Sequence, residues 1–472
     1  MKTLLKPLSL ALFVAATLPT QNACNQTSPS SDPPTQNAHT QTSPPSDTLP
    51  ATSPSSSFCK AIGGKNYDWG ESLIQTSDGG YAIAGETYSF GAGNRDVYVV
   101  KLDANGNLQW TKTIGGPKDD WGESLIQTSD GGYAIAGKTE SFGAGDRDFY
   151  VVKLDANGNL QWTKTIGGES DDWGLSLIQT SDGGYAITGF TKSFGAGEAD
   201  VYVVKLDANG NLQWTKTIGG PKGDEGRSLI QTADGGYAIA GYTISFGAGG
   251  ADVYVVKLDT NGNLQWTKTI GGPKDDLGLS LIQTSDGGYA IAGSTNSFGA
   301  GDLDVYVVKL DANGNLQWTK TIGGPKREWG SSLTQTSDGG YAIAGRYFLI
   351  GDYGEVYAGY VYVVKLDAKG NLQWTKTIDV KNEYLSEPSL IQTSVGGYAI
   401  AGTTASFDAG DLDVYVVKLD KNGDACCAVS QTSQVGSGGT LGSPTPSIGS
   451  GGTLTSPTSS TSSGGTLTNQ CP

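Results

Sequence analysis

Any chemistry in this chain has to be built from carboxylates, amides, aromatic rings and a few cations. Its single histidine, His39, lies in a Ser/Thr/Pro-rich stretch, so the repeated region has no His triad, His acid–base relay or His metal site. The most regular carboxylate belongs to the phrase DANGN, where Asp103, Asn105 and Asn107 set oxygen ligands at alternate positions. Alternation of this kind begins a calcium loop, but glycine falls fourth rather than sixth and no glutamate follows at the twelfth place. The spacing fits a hairpin turn better, with both residues of the Asn-Gly pair at positive φ. No cofactor is required, and calcium is the one the pattern leaves open. A second recurring acid stands at Asp96, Asp148, Asp200, Asp252, Asp304 and Asp413, with Tyr360 in the sixth copy. It is expected to cap loop amides, or else to form a ring of carboxylates around a cation. The pairs Asp119–Asp120, Asp171–Asp172 and Asp275–Asp276 could work as acid and base, but they sit in copied connections where a unique centre is not expected. No catalytic residue is assigned.

A repeat positions these side chains. The tyrosine of GGYAIAG or GGYAITG falls at Tyr81, Tyr133, Tyr185, Tyr237, Tyr289, Tyr341 and Tyr398, spaced by 52 five times and then by 57. In the first copy, short apolar or alternating runs (ESLIQTSD, YAIAGETY, VYVVKLD, LQWTKTIG) are separated by Gly-Gly, Gly-rich and Asn-Gly turns. These runs read as four strands, A to D, and no segment sustains a 3.6-residue period. Such units recurring at this length predict an all-β, seven-bladed β-propeller of four-stranded blades over residues 58–427, rather than a solenoid with its shorter coils. Trp110, Trp162, Trp214, Trp266, Trp318 and Trp374 are read as packing between blades. The seventh copy lacks a D strand and ends in KNGDACCAVS, whereas FCKAIGG at 58–64 is a D strand alone, with Phe58 in the place of Trp110. The N-terminal strand is therefore expected to complete blade 7.

Where the copies differ, they differ at one end. The A–B and C–D turns are nearly constant, while the B–C and D–A connections vary, and in an antiparallel blade these lie on opposite faces of the disc. After YAIAG the chain reads Glu86-Thr87-Tyr88, Lys138-Thr139-Glu140, Phe190-Thr191-Lys192, Tyr242-Thr243-Ile244, Ser294-Thr295-Asn296, Arg346-Tyr347-Phe348 and Thr403-Thr404-Ala405. Residues two apart on a strand point the same way, so the variable pair projects opposite the retained threonine. The D–A connections add Trp69, Trp121, Trp173, Arg227, Leu277 and Trp329. Blade 6 carries a connection four residues longer, RYFLIGDYGEVYAGY, which brings Tyr353 and Tyr357. Glu86, Tyr88, Lys138, Glu140, Phe190, Lys192, Tyr242, Arg346, Phe348, Tyr353, Tyr357, Trp69, Trp121, Trp173 and Trp329 are the candidate ligand-binding set, because rigid scaffolds present ligands with loops rich in such side chains.

LDANGNLQW (102–110), followed by TKTIGG and DDWGESLIQTSDGGYAIAG, resembles the bacterial seven-bladed β-propeller repeat. The resemblance covers all seven copies and implies an exported propeller, in a family whose members mostly have no assigned activity. A weaker similarity runs to pyrroloquinoline-quinone dehydrogenases, whose blades dock through an Asp…Gly…Trp motif. Here Gly106 lies one residue nearer Asp103 than that motif has it.

The ends read differently from the repeats. Lys2 and Lys6 precede an apolar run from Leu8 to Leu18, too short to span a bilayer, so residues 1–23 are read as an export signal. Cys24 is the candidate site of lipidation, simple secretion being the alternative. Residues 24–57 are read as a flexible linker and 428–472 as a Gly/Ser/Thr-rich low-complexity tail, with GSGGTL at 436–441 and 449–454 and SSGGTL at 462–467. With Cys24 set aside, Cys59, Cys426, Cys427 and Cys471 form an even set for an oxidising compartment, with Cys59 expected to join Cys426 or Cys427 and Cys471 to take the other. A net charge of −16 argues against nucleic acid and against an anionic membrane surface. The expected protein is a monomeric, secreted or cell-surface module that binds an envelope glycan or protein. Its alternatives are a quinone-dependent or carboxylate-based glycan-cleaving enzyme, and a purely structural or adhesive surface protein.

Overall fold

The computed structural model describes residues 57–350, 356–379, 386–405 and 411–425, together with seven short strands between 428 and 469. All of them belong to the compact unit Ser53–Pro472. No helix among them is long and apolar enough to cross a membrane.

The chain is all-β and forms a seven-bladed propeller of four-stranded antiparallel blades. Blade 1 shows the plan, with A at Asp68–Gln75, B at Tyr81–Thr87, C at Asp96–Leu102 and D at Leu108–Gly115. Strands B and C are buried along their whole length. This is why YAIAG and VYVVKL read as continuous apolar runs, covered on both faces by the neighbouring blades. Strands A and D alternate more, because A meets the channel and D the rim.

Between successive blades lies one apolar wedge. Ala82, Ala84, Val97, Val99 and Ile114 of blade 1 meet Leu125, Tyr133, Ile135, Tyr150 and Val152 of blade 2. Each D-strand tryptophan packs edge-on against the B-strand tyrosine of the next blade, as Trp110 does with Tyr133 at 5.6 Å and Trp374 with Tyr398 at 5.8 Å. The same ring fixes the C–D turn. Gly158 has φ +76°, and a Cβ there would stand 3.1 Å from Trp110, so glycine is required both by the backbone and by the neighbouring blade. The turn itself departs from the two-residue form expected. Asp103 N donates to Asn107 O, and the Asp103 carboxylate accepts from the Asn105 and Asn107 amides and from Asn107 Nδ2, with a register shift at Leu102. This is a longer turn with glycine at its left-handed position, closed by its own aspartate.

Polar ties supplement the wedges. Ser72 Oγ accepts from Leu125 N at 3.0 Å and Gln127 Oε1 from Ser77 N at 2.8 Å, and both bonds recur from blade to blade. Between blades 7 and 1 the same bonds run from Leu73 N to Ser389 Oγ and from Ser394 N to Gln75 Oε1. Blade 7 is built from Ser389–Gln392, Tyr398–Thr404, Asp413–Leu419 and the N-terminal strand Phe58–Gly63. Ile62 sits opposite Val414, as Ile114 sits opposite Val97, and Phe58 meets Tyr81 at 5.8 Å.

The segment expected to be a low-complexity tail contributes seven short strands, one to each blade. Ala428–Gln431 pairs with strand D of blade 6, Gln434–Gly436 with blade 5, Thr440–Gly442 with blade 4 and Ser447–Gly449 with blade 3. Thr453–Thr455 then pairs with blade 2, Ser460–Ser462 with blade 1 and Thr466–Asn469 with blade 7. Each sheet becomes five-stranded, and the belt visits the blades in the reverse of their chain order. Its pairing partner is always the C-terminal end of strand D (Thr-Ile-Gly in blades 1 to 5), an edge that would otherwise present unpaired backbone groups.

Candidate functional site

The two variable sets expected from the sequence turn out to be cross-strand partners. Trp69 pairs with Glu86, Trp121 with Lys138, Trp173 with Phe190, Leu277 with Ser294 and Trp329 with Arg346. In blade 4 the residue facing Tyr242 is Glu225, not Arg227. The assignment of Arg227 to this register is corrected, because it lies two residues further along strand A.

Arg227 belongs to a ring that the sequence reading passed over. Every complete A strand carries a β-bulge after its glycine, between Gly70 and Ser72 in blade 1, and the inserted residue has no cross-strand partner. A bulge re-aims the side chain it carries. Glu71, Glu123, Leu175, Arg227, Leu279 and Ser331 are these residues, and with Glu387 they line one cavity of about 140 Å³. The signal was present in the sequence as the changing second letter of GESLIQ, GLSLIQ, GRSLIQ and GSSLTQ. It passes for strand alternation unless the bulge is known.

The retained threonine has a separate duty. Thr87 Oγ1 donates to Asp68, which also accepts from Gly64 N at 2.6 Å and Ser89 Oγ at 2.9 Å. The Asp96 carboxylate accepts from Ala92 N at 2.8 Å and Gly93 N at 3.0 Å, capping the B–C loop. Blade 6 replaces this Thr and Asp with Tyr347 and Tyr360, which pair across strands that run on to Ile350 and back from Val356. Tyr353 lies outside the described residues, and Tyr357 is placed only as a backbone position on that longer strand.

In blades 1 to 3 the variable side chains interlock. Arg95 donates to Glu86 at 3.3 Å and to the Tyr88 hydroxyl at 2.6 Å, and its guanidinium lies 4.9 Å from the Trp69 ring and 5.1 Å from that of Trp121. Lys138 reaches Glu123 at 2.6 Å and lies 4.0 Å from the Trp173 ring. Arg147 donates to Glu140 at 2.9 Å, Trp173 meets Phe190 at 5.1 Å, and the exposed Lys192 pairs with Asp171 at 3.1 Å. Alternating cations and rings gain both cation–π and Coulomb energy, so this sector forms a built surface. Further round, Arg227 lies 5.7 Å from the Tyr242 ring and pairs with Glu225 at 3.2 Å. Arg346 faces Glu387 at 3.8 Å, and Phe348 packs against the core shared by blades 6 and 7.

Burial raises the repeated acids Asp68, Asp96 and Asp120, and in this sector neighbouring carboxylates add to it. Burial, then Glu86 and Glu123, push the Glu71 carboxyl well above the usual range. Burial and Glu123 raise Glu86 to about 7, despite Arg95 and Lys138. Burial and Glu225 push the Tyr242 phenol up to about 12. A surface holding carboxyls whose protonated form burial favours, beside fixed cations, can donate and accept hydrogen bonds to a polar ligand. Among the described residues, no three His, Cys, Asp or Glu side chains cluster as metal ligands. Cys59 is buried in the N-terminal strand, whereas Cys24, Cys426, Cys427 and Cys471 lie outside the described residues.

Solved structures similar to this chain include Sqt1 from Chaetomium thermophilum, at 13% identity over 76% of this chain and 98% of that one, with a TM-score of 0.42. The intramolecular trans-sialidase from Ruminococcus gnavus matches at 11% identity over 76% and 96%, with a TM-score of 0.36. Neither likeness is close enough to carry a functional statement. The regulatory protein FlaEY of Caulobacter vibrioides is 26% identical over 280 residues, 52% of this chain, and the match spans only 29% of that protein's length. Residues 66–297 and 147–424 match the family described as outer membrane protein assembly factor BamB. These matches together take in most of the chain and strands from all seven blades, and the protein belongs to that family.

Proposed function

We propose that this protein is an exported cell-envelope propeller that acts as a binding or scaffold module through the face bearing its B–C and D–A connections. The observation that carries this reading is the distribution of change among the copies. Blades identical through YVVKLD, and in blades 1 to 6 through LQWTKTI, diverge at the cross-strand pairs and at the bulge residues that ring one end of the channel. The partner is an envelope glycan or another envelope protein, and the chain works as a monomer. The outer-membrane setting in the family's description supports the envelope placement. So does the signal-like segment 1–23, with Cys24 as lipid anchor and residues 24–57 as spacer. Within the family, the phrase LDANGNLQW supports the bacterial seven-bladed repeat type. Cys59, buried in the strand that completes blade 7, is read as joined to Cys426 or Cys427, a pairing that non-reducing peptide mapping would establish or remove.

One observation favours a second reading, a carboxylate-based glycan-cleaving enzyme. Glu71 and Glu86 are both pushed up in pKa beside Glu123, which is blade 2's copy of Glu71, while blades 3 to 6 carry Leu, Arg, Leu and Ser at that bulge. A single experiment separates the two. The full chain is screened against envelope glycans and envelope protein extracts, alongside Trp121→Ala, Lys138→Ala and Tyr357→Ala variants. Capture lost at least tenfold in the blade 2 variants supports the binding module. Capture indifferent to every variant removes this face from the proposal, and release of new reducing ends from a captured glycan favours the enzyme.

A further inference from the structure

The wedge that large side chains fill in blades 1 to 4 is differently made between blades 5 and 6. At the B-strand position held by Glu86, Lys138, Phe190 and Tyr242, blade 5 has Ser294, and Leu277 stands opposite it where four other blades have tryptophan. At the loop position of Arg95 and Arg147 it has Leu303. The result is a pocket of about 510 Å³, bounded on the blade 6 side by Trp329 and Arg327. That is ample for a small organic ligand.

Its lining is unusual in what it leaves unbonded. Among the described residues, Ser294 Oγ, Asn296 Oδ1 and Trp329 Nε1 are buried atoms without a hydrogen-bond partner, and all three residues line this pocket. Ser294 is fully buried. Polar atoms in such places are normally satisfied, so three around one cavity mark a place where something polar belongs. Together they offer a hydroxyl, an amide and an indole N–H, that is, donors and acceptors in one ring of contacts. The Trp329 ring with Leu277 and Leu303 supplies an apolar wall. At the rim the charges cancel, Lys274 and Arg327 against Asp275 and Asp302, with Arg327 and Asp302 already 3.5 Å apart.

We infer that this pocket is a binding subsite for a neutral sugar, one or two pyranose rings in size, stacked on Trp329 and hydrogen-bonded by Ser294 and Asn296. A pyranose carries hydroxyls that both donate and accept, together with an apolar C–H face that suits an indole ring. A charged ligand would find no net counter-charge, and an apolar one would leave the three polar atoms unpaired. The inference rests on reading the variable face as a binding surface and names a ligand class for one sector of it.

The test titrates the full chain with neutral hexoses, N-acetylhexosamines and their disaccharides, followed by tryptophan fluorescence and saturation-transfer NMR. Saturable binding is expected for at least one of them, with a dissociation constant in about the millimolar range. Ser294→Tyr, which installs the residue blade 4 carries at Tyr242, should weaken it at least tenfold with the thermal midpoint unchanged. Trp329→Phe, which keeps a ring but loses the N–H, should weaken it a few-fold. Absence of saturable binding across the panel, equal affinity in Ser294→Tyr, or preference for acidic or amino sugars would each overturn the inference. Partner capture through blade 2 is scored separately, so a negative sugar panel with capture intact sinks the subsite and leaves the binding module standing.

Discussion

At the scale of the residue, the most informative substitution lies where one blade breaks the rule of the others. Asp68, Asp120 and Asp172 each accept several hydrogen bonds at the start of strand A, but in blade 6 that place is Glu328. Its Oε2 is buried without a partner, and burial raises its pKa from an ordinary 4.5 to about 7. A raised folded-state pKa means stability is full below pH 4.5 and is lost as pH rises through 7. Glu328→Gln removes the titration and keeps the size. The variant should exceed the parent at pH 8 by about 1–3 kcal/mol in urea unfolding, and the gap should close by pH 4. A variant no more stable at pH 8 would show that the carboxylate has a partner worth keeping. Arg227 teaches a different lesson at this scale. Sequence comparison placed it beside the tryptophans, and only the bulge moves it into the channel with Glu71 and Glu123.

At the scale of the element, the A–D strands were legible because Gly-Gly and Asn-Gly turns punctuate runs of fixed apolar pattern. The belt was not. Strands of three or four residues, rich in Gly, Ser and Thr, have neither alternation nor propensity to betray them. Their one trace is the return of GGTL every 13 residues, twice the step from one belt strand to the next. The belt adds a fifth strand at the D edge of blades that already have four, so its loss should spare the fold. A chain ending at residue 427 should remain a propeller by circular dichroism, melting about 2–6 °C lower. With its D edges uncovered it should also self-associate at high concentration, read by light scattering after size exclusion. Loss of cooperative unfolding would instead place the belt among the elements the blades need.

At the scale of the whole molecule, two families of carboxylate pull stability in opposite directions with pH. Asp78, Asp130, Asp182, Asp234, Asp286 and Asp338 are lowered to about 2: burial opposes the shift, and a threonine hydroxyl and a buried lysine overcome it. What they contribute is complete above about pH 4 and fades as pH falls toward 2. Asp120, raised to about 6 by burial, Glu86 and Glu328, both at about 7, act the other way. Their contribution is complete below about pH 4 and is lost as pH rises through 6 to 7. Urea midpoints measured at pH 2.5, 4.5 and 8 should therefore peak at 4.5, where the net charge of −16 is also largely neutralised. A peak at pH 8 would mean that the buried acids are stabilised as anions by contacts not described above.

The reversed order of the belt has a further consequence. From Phe58 to Leu419 the backbone travels once round the disc, crossing every seam between blades. From there to Asn469 it travels round again in the opposite sense. Each seam is thus spanned twice by covalent chain. A protease that nicks one D–A connection would free no blade, since the later fragment still lies along the rim of every blade in the earlier one. The second lap is a hoop that keeps a damaged ring assembled.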